Sequence, residues 1–340
     1  MTNLYLENGY IDISKIIGYK VPFNFIIGGR GTGKTYGAIK YMIENDVFSM
    51  FMRRTQSQTD LINKPEFSPV NPVAKDLQKY IKVKTISKYS AEIMDETDED
   101  NRKLLGYTCA LSTISNMRGF DTSDIKLLIY DEFIPEQHER LIKNEGSAFL
   151  NAYETINRNR ELKGHDPLQV LCLANSNNIA NPIFIELGLV DRVRKMMLKG
   201  NDFLIDREKG ILIALSTYSK ISRKKKKTAL YKVSQNSDFS EMALSNEFSY
   251  NDFENIESRP IKEYIPLCKV GEIIIYRHKS KKEYYVTKHI SGSPPAYNTD
   301  QNGLKKYRNH YGLRLLNAYM KERVFYESAL TKSLFELYTI

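Results

Sequence analysis

The sequence predicts an α/β fold built on a mostly parallel sheet, followed by a smaller α+β domain. Three observations predict it. Through the first 199 residues, short continuous apolar runs alternate with helix-period segments, the pattern of strand–helix–strand units. A glycine-rich octapeptide, Gly28 to Thr35, joins the first apolar run to the first clear helix. The net charge of +9 sits almost wholly in the C-terminal part: residues 1–199 hold 26 Lys and Arg against 25 Asp and Glu, whereas residues 200–340 hold 24 against 16.

The elements follow in order. Phe23 to Ile27 is a buried strand, and Thr35 to Glu44 reads as a helix. Ser49 to Arg53 is a second strand. Ile81–Val83, Glu92–Met94 and Tyr107–Leu111 are short strand candidates, with the acidic run Asp95 to Asp100 as a solvated hairpin tip. Lys126 to Tyr130 and Val170 to Ala174 are continuous apolar strands of the buried parallel type. Between them, Ser147 to Asn159 has helical spacing, with Phe149, Leu150, Tyr153 and Ile156 on one face. Residues 200–230, with the run Arg223 to Lys227, read as a linker with some strand content. Residues 231–340 form the smaller domain: strands at Glu272–Tyr276 and Glu283–Thr287 around a charged turn, then one or two amphipathic helices over 313–338.

Composition narrows the function classes. At roughly 150 residues per domain, 340 residues suggest two domains. Apolar residues at 41% and charged residues at 27% exclude a globally disordered chain. No apolar run approaches the roughly 20 residues of a membrane helix, and the first residues lack a secretion-signal pattern. Cys109, Cys172 and Cys268 lie far apart, so neither a disulfide framework nor a zinc pattern is expected, and a reducing compartment is. A basic C-terminal part hung on a near-neutral one suggests a polyanionic partner.

The octapeptide Gly28-Gly29-Arg30-Gly31-Thr32-Gly33-Lys34-Thr35 fits the phosphate-loop pattern G-x-x-x-x-G-K-[ST] in full, with a strand before and a helix after. Glycines let backbone N–H groups converge on phosphate oxygens, and the helix N-terminus adds positive potential. Lys34 can reach the terminal phosphates, and Thr35 can hold Mg²⁺. The second half of the site is Leu127-Leu128-Ile129-Tyr130-Asp131-Glu132: Asp131 would hold Mg²⁺, and Glu132 would polarise the attacking water. Strand candidates between the loop helix and Asp131, with the added glutamate, point to the additional-strand, catalytic-glutamate NTPases. Asn175, after the 170–174 strand, is a sensor or a turn-forming asparagine. Arg158 is a transition-state arginine from a neighbouring subunit or the partner of Glu154 four residues earlier. Arg118, in the loop before the Asp131 strand, says little alone.

Together these residues resemble the DNA-packaging ATPases of small protein-primed podophages, relatives of large terminase subunits. The likeness runs through Ile26 to Thr35, Tyr130 to Ile134, Arg158-Asn159-Arg160-Glu161, Cys172 to Asn175, Glu241 to Phe248, and His310-Tyr311-Gly312-Leu313-Arg314 onward. It implies a homomeric ring of five subunits, docked on a procapsid portal in the host cytoplasm. The ring would use ATP and Mg²⁺ to drive double-stranded DNA inside. In some members a structural packaging RNA takes part. It also implies Arg158 as the trans-acting finger, Arg118 as a second trans-acting residue, and Asn175 as sensor.

For the C-terminal domain it implies a ribonuclease-H-like fold. Nuclease chemistry needs clustered carboxylates. Ile273 to Tyr276 has none, and no aspartate occurs between Asp252 and Asp300. The expectation is therefore a degenerate, non-cleaving nucleic-acid platform. Arg223, Lys224, Lys225, Lys226 and Lys227 are candidate phosphate contacts or a solvated charge run. A terminase with active nuclease, a non-motor ATP-dependent binding module and a hexameric helicase are the rival readings.

Overall fold

The computed structural model describes residues 4–117, 121–136, 139, 142–175, 179–216, 220–225, 227–234 and 254–340. Two compact units result: Met1–Glu186 with Met196–Tyr250, and Leu187–Lys195 with Asn251–Ile340.

The first unit holds nine strands: β1 (Phe23–Gly28), β2 (Ser49–Arg53), β3 (Ile81–Ser87), β4 (Ser90–Asp95), β5 (Lys103–Ala110), β6 (Leu127–Asp131), β7 (Gln169–Ala174), β8 (Phe203–Asp206) and β9 (Ile211–Ser216). They form one sheet in the order β3-β4-β5-β2-β6-β7-β1-β9-β8. The central six, from β5 to β9, are parallel, while β3, β4 and β8 pair antiparallel at the edges. Strands buried on both faces need apolar side chains throughout, which is why β1, β6 and β7 read as unbroken apolar runs.

Alternation still assigns each residue to a face. Ile26, Ile129, Leu171 and Leu173 join a core with Ile39, Met42 and Ile43 of the helix Lys34–Glu44. The other face is aromatic. Phe25 meets Phe133 and Phe184, and Tyr130 stacks on Phe149 with ring centroids 5.6 Å apart. Phe149 belongs to the helix Glu145–Asn157, so helices cover both faces.

Two expectations change here. The helix expected over 147–159 runs Glu145–Asn157, because Arg158 (φ 47°) and Asn159 (φ 54°) turn into the left-handed region and end it. Phe203–Asp206 and Ile211–Ser216, expected within a linker, are strands of the large sheet. Ile211 to Ser216 is wholly buried and pairs with β1 in parallel over six residues, so it lies inside the sheet. Its apolar run is as continuous as that of β7 and carries the same signal. The domain boundary at 199 moves accordingly, and Leu187–Lys195 falls with the second unit.

The second unit has a five-stranded sheet of β10 (Tyr264–Val270), β11 (Ile273–His278), β12 (Tyr284–Thr287), β13 (Ala296–Tyr297) and β14 (Val324–Tyr326). The order is β13-β10-β11-β12-β14, with β10, β11 and β12 antiparallel and the two outer strands added in parallel. The strands expected at 272–276 and 283–287 are β11 and β12. The helical stretch expected over 313–338 is two helices, Leu313–Tyr319 and Ala329–Thr339, separated by β14. The strand β10 carries Pro266 at a register shift, which weakens its sequence signature.

Candidate active site

Four adjacent parallel strands, β2, β6, β7 and β1, open their carboxyl ends on one edge of the large sheet. Open α/β sheets bind ligands at that edge. There β1 runs into Gly28–Thr35, β2 ends in Arg53, β6 ends in Asp131, and Asn175 follows β7. The strand β7 alone separates the glycine-loop strand from the Asp131 strand.

The loop needs its glycines for specific reasons. Gly33 caps the helix Lys34–Glu44 at φ 83°, a conformation that strains other residues. A Cβ on Gly28 would lie 2.0 Å from the Ser216 hydroxyl of β9. The loop thus closes against the sheet, with the following helix N-terminus directed at it.

Lys34 is buried within the loop. Its Nζ donates to the Gly28 and Gly29 carbonyls, each at 2.9 Å, and stands 3.4 Å from Asn175 Oδ1. Burial pulls its pKa down from 10.5 to about 8. Asp131 opposes that shift, and the nearby Lys225 adds to it.

Thr35 donates its hydroxyl to Asp131 Oδ1 at 2.8 Å. Arg53 Nη2 stands 2.8 Å from Asp131 Oδ2, and Nη1 pairs with Glu132. One guanidinium therefore holds both carboxylates. Glu132 sits at φ 58°, an uncommon conformation for a glutamate, as the chain leaves β6. Burial raises the Glu132 pKa, Arg53 pulls it down, and Asp131 pushes it up.

The loop after Glu132 is tied in by charge as well. Arg30 pairs with Glu136. Arg54, wholly buried, pairs with Glu145 at 2.6 Å and with Glu139 at 2.9 Å. Glu139 in turn accepts the Glu136 backbone N–H at 3.0 Å. This chain of contacts links the glycine loop to the first residue of the helix Glu145–Asn157.

At the other end of that helix, Arg158 stands 3.3 Å from Asp121, with its side chain 39% exposed. Arg118 lies outside the described residues, as does Lys226, and the side chain of Arg223 is not described. Lys224 and Lys227 are exposed. Lys225 instead turns inward and donates to the Arg30 carbonyl.

The residues present suit Mg²⁺. The donors are hard oxygens, the Thr35 hydroxyl beside the Asp131 carboxylate. Among the described residues no group of three or more His, Cys, Asp or Glu could hold a metal, and a phosphate-loop Mg²⁺ needs none, since phosphates and water complete its shell.

Arg53 and Arg54 were missed as site residues by sequence reasoning, and Lys225 was read as a candidate nucleic-acid phosphate contact or part of a solvated charge run, not as a neighbour of the glycine loop. Two arginines closing an apolar strand were a readable signal for the first two. Nothing local distinguishes Lys225 from its basic neighbours.

The model of the podovirus DNA encapsidation protein (Gp16) family matches residues 7–338. The chain belongs to that family. It is 25% identical to the DNA packaging protein of Bacillus phage PZA over 343 aligned residues, 95% of each chain. It is 28% identical to the DNA packaging protein of Bacillus phage phi29 over 251 residues, 72% of this chain and 68% of that one. Its fold is similar to a chain of the bacteriophage Phi-29 viral genome packaging motor assembly, with a TM-score of 0.66 and 22% identity, covering 97% of this chain and 98% of that chain. Membership makes this a DNA encapsidation protein. No helix among the described residues is long and apolar enough to cross a membrane.

Proposed function

We propose that the chain is the ATP-hydrolysing subunit of a homomeric ring, five-membered, that docks on a procapsid portal and drives double-stranded DNA inside. The supporting observation is the convergence of Lys34, Thr35, Asp131, Glu132 and Asn175 on one sheet edge, with one strand between the loop and the carboxylates. That arrangement suits the additional-strand, catalytic-glutamate class.

Each residue has a role in the reading. Gly28 to Gly33 enclose the phosphates, and Lys34 exchanges its two carbonyl acceptors for phosphate oxygens. Thr35 and Asp131 would hold Mg²⁺, which supplies charge neutralisation on the phosphates. Glu132 would accept a hydrogen bond from water and align it with the terminal phosphorus. Asn175, beside Lys34, is suited to sense whether that phosphate is present. Arg158 would complete a neighbour's site, an addition worth about 10³–10⁵ in rate, with Arg118 as a second residue acting in trans.

In the second unit we propose a degenerate ribonuclease-H-like platform that binds nucleic acid without cutting it. Its strand-entry acid, Glu283, is engaged by Arg259 at 2.7 Å. Arg223, Lys224, Lys225, Lys226 and Lys227 are candidate DNA contacts, and a packaging RNA and the portal are candidate partners. The working location is the host cytoplasm, transiently on the procapsid.

The test is an ATP-dependent packaging assay with procapsids, read as DNA protected from added nuclease. Protection that needs ATP, DNA and this chain supports the reading. ATP hydrolysis indifferent to DNA and procapsids, with no protected DNA, contradicts it.

A further inference from the structure

The basic run Arg223 to Lys227 invites a single explanation, yet its described lysines differ. Lys224 and Lys227 face solvent. Lys225 ends the helix Lys220–Lys225 and carries its ammonium to the glycine loop, where it donates to the Arg30 carbonyl. The approach is close. A Cβ on Gly31 would lie 2.4 Å from Lys225 Nζ and 2.9 Å from its Cε, so any residue but glycine at 31 would displace the lysine. On its other side, Nζ stands 6.0 Å from the ring centre of the buried Tyr231, at the edge of cation–π range.

The charges around the loop are unevenly matched. Arg30 has Glu136. Lys34 has two carbonyls and lies near Asp131. Among the described residues no carboxylate ion-pairs with Lys225; its acceptor is a neutral carbonyl. Arg30 and partial burial both disfavour its charge, and Lys225 in turn acts unfavourably on Lys34. A half-buried ammonium held against a phosphate-binding loop, without an acid of its own, calls for an anion from a ligand.

We infer that Lys225 is a nucleotide-contacting residue, supplied in cis from the basic run, that binds the polyphosphate of a nucleoside triphosphate at the mouth of the Gly28–Thr35 loop. This rests on reading that loop as a nucleotide site. It removes Lys225 from the set of DNA contacts.

The experiment uses the full chain and MgATPγS. In calorimetry, Lys225→Ala weakens binding about tenfold or more, the loss expected for one charge-assisted contact. Lys209→Ala, an exposed lysine in the β8–β9 turn, stays within twofold of wild type. In parallel, wild-type chain is acylated with a water-soluble amine reagent and the modified lysines are counted by mass spectrometry. MgATPγS lowers the reactivity of Lys225 several-fold and leaves Lys209 and Lys163 unchanged. The wild-type labelling decides the matter if Lys225→Ala does not fold.

The inference is overturned if folded Lys225→Ala binds as wild type does, or if bound nucleotide leaves Lys225 as reactive as before. It is also overturned if duplex DNA, and not nucleotide, protects Lys225. A wild-type chain that binds no nucleotide at all removes the parent reading instead, and the calorimetry of wild type reports that separately.

Discussion

Arg53→Ala is the sharpest perturbation of the site. Arg53 and Asp131 have side chains only 13% and 4% exposed and stand 2.8 Å apart. Removing one partner of a buried pair typically costs about 3–5 kcal/mol, because the other charge stays buried. Nearby Lys34 offsets part of that cost, and the half-exposed Glu132 arm adds little. The expected loss is about 3 kcal/mol. For a unit of this size each kcal/mol moves the midpoint by roughly 2–4 °C, so Tm should fall by about 6–12 °C. Thermal unfolding of wild type, Arg53→Ala, Asp131→Asn and the double variant measures it. Neutralising Asp131 removes the stranded charge, so the double variant should be more stable than the sum of the single losses predicts. Millimolar Mg²⁺ should restore more of Tm in Arg53→Ala than it adds in wild type. A fall under 2 °C, or losses additive within about 0.5 kcal/mol, would refute the claim that this guanidinium compensates Asp131.

Three further outcomes follow from the same geometry. Glu132→Gln should bind MgATPγS within threefold of wild type yet hydrolyse ATP about 10²–10⁴-fold more slowly, and retained turnover would take Glu132 out of the chemistry. Doping Arg158→Ala chain into wild-type chain should depress hydrolysis more than in proportion to the dose; a linear decline would contradict action in trans. The Lys34 pKa is about 8 when folded against 10.5 when unfolded, so between those values the unfolded chain binds more protons and the ligand-free fold gains stability as pH rises. Compared with Lys34→Met, wild type should therefore gain relative stability from pH 7.5 to 10 in denaturant titrations, and parallel curves would contradict the depressed pKa.

How legible each feature was depends on whether its cause is local. The octapeptide loop and the Asp131–Glu132 pair could be picked out directly, because each pattern is complete within a few residues. Strands β1, β6 and β7 could be read because burial on both faces demands unbroken apolar runs. The same rule applied to Ile211–Ser216, but the basic run downstream drew the boundary too early. The clamp by Arg53 is of another kind. It exists only because β2 pairs with β6 in a register that sets Met52 beside Tyr130, and pairing partners are not written in a single strand. The Arg54–Glu145 pair spans 91 residues, and Lys225 reaches across 195 to the Arg30 carbonyl. Helix ends shifted for a local reason that spacing does not carry, the left-handed turn at Arg158 and Asn159.

The central claim is that a magnesium-bound triphosphate occupies the Gly28–Thr35 loop and is held there by Lys34. Calorimetric titration of MgATPγS into wild-type chain and into folded Lys34→Met tests it most directly. Saturable one-site binding by wild type, weakened at least about tenfold in Lys34→Met, is the predicted result. Equal heats from the two proteins, or none from a folded wild type, would contradict it.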